Sequence, residues 1–306
     1  MNHVSFYWLP HNRELLLEAL EHEFAHSVEQ SLSTGKIILP PIPKVVLDIQ
    51  KMCTDESTSV FDVAECLLDD PSLTATVLRI ANSVIFNRRN ITFNDITTAV
   101  SRLGIHRVRD IVTAQSIEQL KYQVNLRPEC NKLLADSAVN ARELGATMVM
   151  VVKEFKKVSP ETYAYLEQDK ALLVGLLADI GLFCLISEYH LYLENGNYLK
   201  YELALQLFEK CCAKTSFQVL KLWGFDKDFL TVCANKETRV KAHEVSYLDI
   251  AKIAFHLLLF RKQSVEIENH QVEINADGAE VLFELSNLSE NDFEHQVSEI
   301  VSATGF

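Results

Sequence analysis

His22, Glu23 and His26 are the first residues along the chain whose types and spacing could do chemistry. In the pattern H-E-x-x-H, two imidazoles one helical turn apart hold Zn²⁺ and the glutamate acts as a general base. Their surroundings argue against it. At about 100° per residue, both histidines fall nearly opposite Phe24, which centres an apolar stripe of Leu17, Leu20, Phe24 and Val28 within a helix expected over 13–32. They are therefore expected on a solvated helix face, and no third ligand stands at a recognisable spacing.

Arginine supplies the second candidate. Arg79, Arg88, Arg89, Arg102, Arg107 and Arg109 fall within 31 residues that contain one acid, Asp95. Guanidinium groups suit phosphates and carboxylates. Arg88, Arg89, Arg102, Arg107 and Arg109 are thus a candidate ligand or partner patch, with Arg107 and Arg109 expected to point outward from "LGIHRVRD" (103–110). The opposing reading is intramolecular: six acids at 55–70, with no base among them, could pair with these arginines. No G-x-x-x-x-G-K or G-x-G-x-x-G run offers a phosphate-binding loop.

The elements that must carry these residues read as helices. With 306 residues, 48% of them hydrophobic, the chain can bury a substantial core. The 9 Gly and 7 Pro are too few for a turn-rich sheet protein. Ser59 and Asp62 have capping-box spacing ahead of a helix at 60–68. Asp70-Pro71 opens another, Thr92 is placed to cap one ending at Leu103-Gly104, and helices follow at 105–120, 128–155, 170–189, 198–210, 213–223, 227–237 and 244–261. A short helix is expected from Ser159-Pro160, and the one strand-like stretch is 264–274. The class is all-α, in two helical lobes. The expected division is an N-terminal extension (1–32), a first lobe (33–125) and a second lobe with C-terminal helices (126–306), with a soft boundary at 121–127.

Net charge of −13 disfavours wrapping by a nucleic-acid backbone. The 7 Cys contain no C-x-x-C pair and read as buried thiols of a reducing compartment. The most apolar stretch, 171–186, is interrupted by Asp179 and falls short of the roughly 20 residues that span a bilayer, which points to a cytoplasmic protein with a buried helix.

Five segments together resemble one family: "LPPIPKVVLDI" (39–49), "DDPSLTATVLRIANSVIFN" (69–87), "ITFNDITTAVSRLG" (91–104), "LLVGLLADIGLF" (172–183) and "VLKLWGF" (219–225). In this order they are similar to the HDOD family, the HD-related output domains of bacterial signalling. The resemblance implies an all-helical fold whose second lobe is related to metal-dependent HD phosphohydrolases. In those enzymes a His-Asp pair and further His and Asp side chains hold the ion. Here Ala178 stands where the His of the pair would be, directly before Asp179. By the same resemblance, Asp136 stands on the helix that would bring another His, Cys212 replaces a His ahead of "LKLWG", and Asn235, Lys236 and Glu237 occupy a further position. None of the 10 histidines is followed by Asp. Asp179 is expected to be a hydrogen-bonded helix residue, bound to a backbone group or an arginine, with Asp136 close by.

The resulting expectation is a non-catalytic HDOD-type signal transduction protein, a helical scaffold and regulatory binding module. It would be no enzyme and would use no cofactor or metal. Its partners would be signalling proteins in trans, with a small nucleotide signal as a further ligand class and neither nucleic acid nor membrane among them. The cleft between the arginine-bearing helices and the Asp179 helix is the expected binding surface. The alternative is a metal-dependent phosphohydrolase with residual activity on a phosphate ester or cyclic nucleotide. A zinc peptidase at His22 and His26, or a nucleic-acid binder through Arg107 and Arg109, ranks below it.

Overall fold

Local side-chain rings set many of the helix ends. In the computed structural model, which describes residues 3–6, 9, 12–87, 91–236, 244–270 and 272–306, Ser59 and Asp62 close the capping box that starts α4 (Val60–Leu68). Asp70 accepts from the backbone N–H groups of Ser72 and Leu73 and starts α5 (Pro71–Ala81). Helix α6 (Ile96–Leu103) is capped by Asp95 rather than Thr92, because the Asp95 carboxylate reaches the N–H of Thr98. It ends at Gly104, whose φ of 82° excludes most other residues and lets α7 (Ile105–Gln123) leave at once in a new direction. Ahead of these come α1 (Arg13–Leu20), α2 (Glu23–Thr34) and α3 (Lys44–Met52).

The long α8 (Pro128–Val158) starts at a first-turn proline and is followed by α9 (Gln168–Leu177) and α10 (Ile180–Glu194). The expected single helix at 170–189 is therefore two, and Asp179 sits at the joint. Two expected helices at 198–223 are instead one, α11 (Tyr201–Leu222), which ends at Trp223-Gly224. Then come α12 (Lys227–Ala234), α13 (Tyr247–Arg261), α14 (Ala276–Ser286) and α15 (Glu290–Thr304). The strand-like stretch forms a 3-10 turn at Val265–Asn269, and residues after Ser159-Pro160 make turns without a helix. The described residues contain no strand, and the fold is all-α.

Two apolar cores hold the helices. The larger joins residues from both sides of 121–127: Val46, Val77, Ile111, Val149, Leu172 and Leu258 belong to it together. The second packs Phe6, Phe24 and Val28 against Leu133, Phe183, Tyr189 and Phe208. Phe6, Leu9, Ala19, Phe24, Val28 and Leu32 thus form one wall of a core against α10 and α11. Close approach shapes the centre. A Cβ on Gly175 would lie 2.5 Å from the Gly145 Cα, and one on Gly181 would lie 2.5 Å from the Ser216 nitrogen. Those glycines let α9 press on α8, and α10 on α11. The run Gln168–Glu194 is long and apolar enough to cross a membrane by length and composition, more so than the sequence estimate allowed. Its most apolar window is 89% buried within the protein, as befits paired core helices.

Candidate functional site

Asp179 lies where α9 gives way to α10, with φ −106° and ψ 20°, off the helical path of both. Its side chain is buried among apolar neighbours, where a carboxylate needs compensation. Two donors supply it. Lys121 of α7 places its ammonium 2.9 Å from Oδ1, and Ser137 of α8 donates to Oδ2 at 2.5 Å. Lys121 is itself 1% exposed, so this ion pair is withdrawn from water. One turn earlier on α7, buried Glu118 accepts from Arg142 of α8, which also donates to the Tyr122 hydroxyl at 2.8 Å. Burial pushes the Glu118 pKa up, while Lys121 and Arg142 pull it back.

Cys212 of α11 closes another side. Its thiol contacts the Asp179 carbonyl oxygen at 3.8 Å and the Ser216 hydroxyl at 3.6 Å, and burial holds its pKa well above the ordinary value, so it stays a neutral thiol. Ser216 accepts from the Gly181 N–H at 2.8 Å, which ties the start of α10 to α11. His3 completes the neighbourhood from the chain's N-terminal segment. Its Nε2 lies 3.1 Å from the Cys233 carbonyl and its Nδ1 2.7 Å from the Ser5 hydroxyl. Burial lowers its pKa to about 4, against the opposing pull of the Asp179 carboxylate and nearby backbone carbonyls.

Asp136 is a different case. It lies on the exposed face of α8, and the neighbouring residue, Ser137, is the one that turns inward to Asp179. The expected Asp136–Asp179 proximity and the expected arginine partner both give way to Ser137 and Lys121. Ala178 is buried at the end of α9, adding a methyl group and no donor.

Arg107 and Arg109 do not point outward as expected. Arg109 is buried: it donates to Asp110 through Nε and Nη2, to the Gly224 carbonyl at 2.7 Å through Nη1, and stacks 4.5 Å over the Phe225 ring. Arg107 pairs with Glu167 at 2.7 Å and Asp169 at 3.3 Å. Both residues turn toward the second half of the chain and away from acids 55–70. Helix α7, which carries both residues, packs directly on α8 and α9. Arg102 is exposed, and Arg88 and Arg89 lie outside the described residues, as does Glu237. The H-E-x-x-H run is also split. His22 caps α2, accepting from the Phe24 N–H, and His26 is exposed one turn later. The stripe assigned to that segment begins at Phe24, since Leu17 and Leu20 are exposed.

With this geometry in place, comparison with known proteins is informative. The model of the HDOD domain matches residues 39–238. The chain belongs to the HDOD family. Among solved structures, this HDOD protein is similar to one from Shewanella amazonensis, provisionally named a metal-dependent phosphohydrolase, with 22% identity and a TM-score of 0.69 over 93% of this chain and 99% of the other. A second, an HDOD domain protein from Geobacter sulfurreducens, has 19% identity and a TM-score of 0.46 over 91% and 97% of the two chains. A search of curated proteins finds no match.

The metal site that the family resemblance implies raises the question of whether a divalent ion fits beside Asp179. Such an ion needs several anionic or imidazole donors converging at about 2.0–2.6 Å. Here the Asp179 carboxylate is already held by an ammonium and a hydroxyl, the Glu118 carboxylate is held by Arg142, and the Cys212 thiol is neutral. Among the described residues, no three of His, Cys, Asp and Glu are grouped to hold a metal. The donor set does not fit the ion.

Lys121, Ser137 and His3 are site residues that motif reading missed. Lys121 carried a usable signal: at i+4 from Ile117 and i+7 from Ala114, it is the charged member of an otherwise buried stripe on α7. His3 carried none, because its segment has no helical period.

Proposed function

We propose that this HDOD protein is a non-catalytic, cytoplasmic signal transduction protein, a helical scaffold that binds a signalling protein in trans. The observation that carries this reading is the saturation of Asp179. Its two oxygens are engaged by Lys121 and Ser137 inside the protein, so the one acid retained from an HD-like pair is committed to holding helices together. Residual phosphohydrolase activity would require Asp179 to leave both donors and gather ligands that the surrounding side chains do not supply. A small nucleotide signal remains a ligand class to test, with exposed Arg102 as one contact.

The test has two arms. Purified protein is assayed against phosphodiester and cyclic-nucleotide substrates with Mn²⁺, Ni²⁺ or Zn²⁺ supplied, and the tagged full chain is used to capture partners from its native cell. The expected result is no turnover above background, with a reproducible signalling protein that re-binds when purified. Turnover that disappears on chelation and on Asp179→Ala substitution would overturn the reading.

A further inference from the structure

Lys121 departs from what its position in α7 calls for. The face defined by Ala114, Ile117 and Lys121 is buried, and an apolar residue at 121 would continue it. Instead an ammonium group is enclosed, a burden that a fold carries only where a partner charge compensates it. The partner is the Asp179 carboxylate at 2.9 Å, with the other carboxylate oxygen taken by Ser137. Three separate elements thereby meet at the Asp179 carboxylate of the α9–α10 joint, α7 through the Lys121 ammonium and α8 through the Ser137 hydroxyl. That arrangement is what a cation does in a metal-linked site, achieved with a covalently tethered nitrogen.

We propose that Lys121 is a resident cation: its ammonium takes over the charge-neutralising and cross-linking role of a bound divalent ion and fastens α7 to the α9–α10 joint. The inference rests on the non-catalytic reading of the same site and adds the agent that makes the site permanently closed. A divalent ion exchanges with solvent, so its site must open. A lysine side chain does not dissociate, and the helix pairing it secures is built in. Glu118, one turn before Lys121, adds a second charged tie from α7 to Arg142 of α8, so two successive turns of α7 are anchored by charge.

The experiment is chemical rescue of Lys121→Ala. The variant leaves Asp179 without its counter-charge beside a space shaped for an alkylammonium. Its melting temperature is expected to fall by roughly 10 °C, the scale for breaking a buried ion pair in a chain of this size. Ethylammonium should restore several degrees in a saturable manner by binding the folded state. Ethanol, its neutral isostere, should not, and wild-type protein should respond to neither. If Lys121→Ala does not fold, Lys121→Met combined with Asp179→Asn decides the matter. That neutral pair is expected to fold with a melting temperature near wild type, whereas Lys121→Met alone melts far lower.

Equal rescue by ethanol and ethylammonium, a Lys121→Ala melting temperature unchanged from wild type, or a double variant no better than Lys121→Met would overturn the proposal. These readouts are independent of turnover. Phosphodiester hydrolysis by the wild-type protein would end the non-catalytic reading, while absent ammonium rescue would end the resident-cation assignment alone.

Discussion

The two ends of α7 use the same kind of interaction in different solvents. Near its start, Arg107 reaches Glu167 and Asp169, and the Glu167 side chain keeps 44% of its surface in water. Near its end, Lys121 reaches Asp179 with side-chain exposures of 0% and 2%. Distances barely differ, at 2.7 Å and 2.9 Å. At the first end, Glu167 can exchange its protein partner for water, while Arg107 and Asp169 keep 16% and 14% of their side-chain surface exposed. The second has no such exchange available, so losing one member strands the other. The contrast teaches that burial alone can make an ion pair costly to break, whatever the chemistry of the site.

The strongest way to break this comparison is Asp179→Ala. Removing the carboxylate leaves a buried ammonium without its partner, and stability should fall by about 3–5 kcal/mol in urea unfolding. A loss below about 1 kcal/mol would mean that water reaches Lys121 and that the two ends of α7 are alike. Acid titration probes the dry environment next. His3 and buried His270 both have pKa values lowered to about 4, by burial in each case and, for His270, also by His256 and Lys252. Their unfolded forms take up protons first, near the ordinary imidazole value of about 6.5. Stability is therefore full above that value and declines as pH falls from about 6.5 toward 4, by roughly 1.4 kcal/mol per pH unit for each imidazole across that window. His3→Gln and His270→Gln should each flatten the slope between pH 6 and 4.5. A slope unchanged in both would show that neither imidazole is kept neutral.

What was legible in the sequence was what is local. Ser59 with Asp62, Asp70 with Pro71, and Gly104 act within four residues of their own helix ends, and the structure places each as its chemistry dictates. The α9–α10 joint was not legible, because apolar residues run on both sides of Ala178-Asp179 and the nearby Gly175 and Gly181 lie inside the two helices rather than at the break. The expectation of Asp136 beside Asp179 missed Ser137 for a related reason. The resemblance suggested Asp136, whereas the packed helix turns its neighbour Ser137 inward, with contacts to α9 such as Gly145 against Gly175. Arg107 and Arg109 were read as surface charges because their partners, Glu167, Asp169 and the Gly224 carbonyl, lie about 60 to 115 residues away.

At the wet end of α7, Arg107→Ala should cost about 1 kcal/mol at low ionic strength, less than the dry end by severalfold. Because Glu167 faces solvent, 1 M salt should reduce its share of that cost by screening, leaving the share of the more enclosed Asp169 contact. The Asp179→Ala loss should persist in the same salt, since ions do not enter a fully buried site. Equal salt dependence at both ends would show that exposure does not separate them.

The H-E-x-x-H run extends the same test to a place where the charges have no enclosed partner. His22 accepts from the Phe24 N–H at 3.2 Å and so satisfies a backbone donor at the start of α2. His26 is exposed one turn on. His22→Ala should therefore remove a cap and cost about 1 kcal/mol, while His26→Ala should stay within about 0.5 kcal/mol of wild type. A peptidase zinc site would treat the two histidines as equals, with either substitution abolishing binding of one Zn²⁺ per chain. Zn²⁺ titration of wild type and both variants, read by calorimetry beside urea unfolding, separates the cases. Unequal stability losses with no stoichiometric zinc binding assign His22 to helix capping, and equal loss of a tight zinc site would return the motif to chemistry.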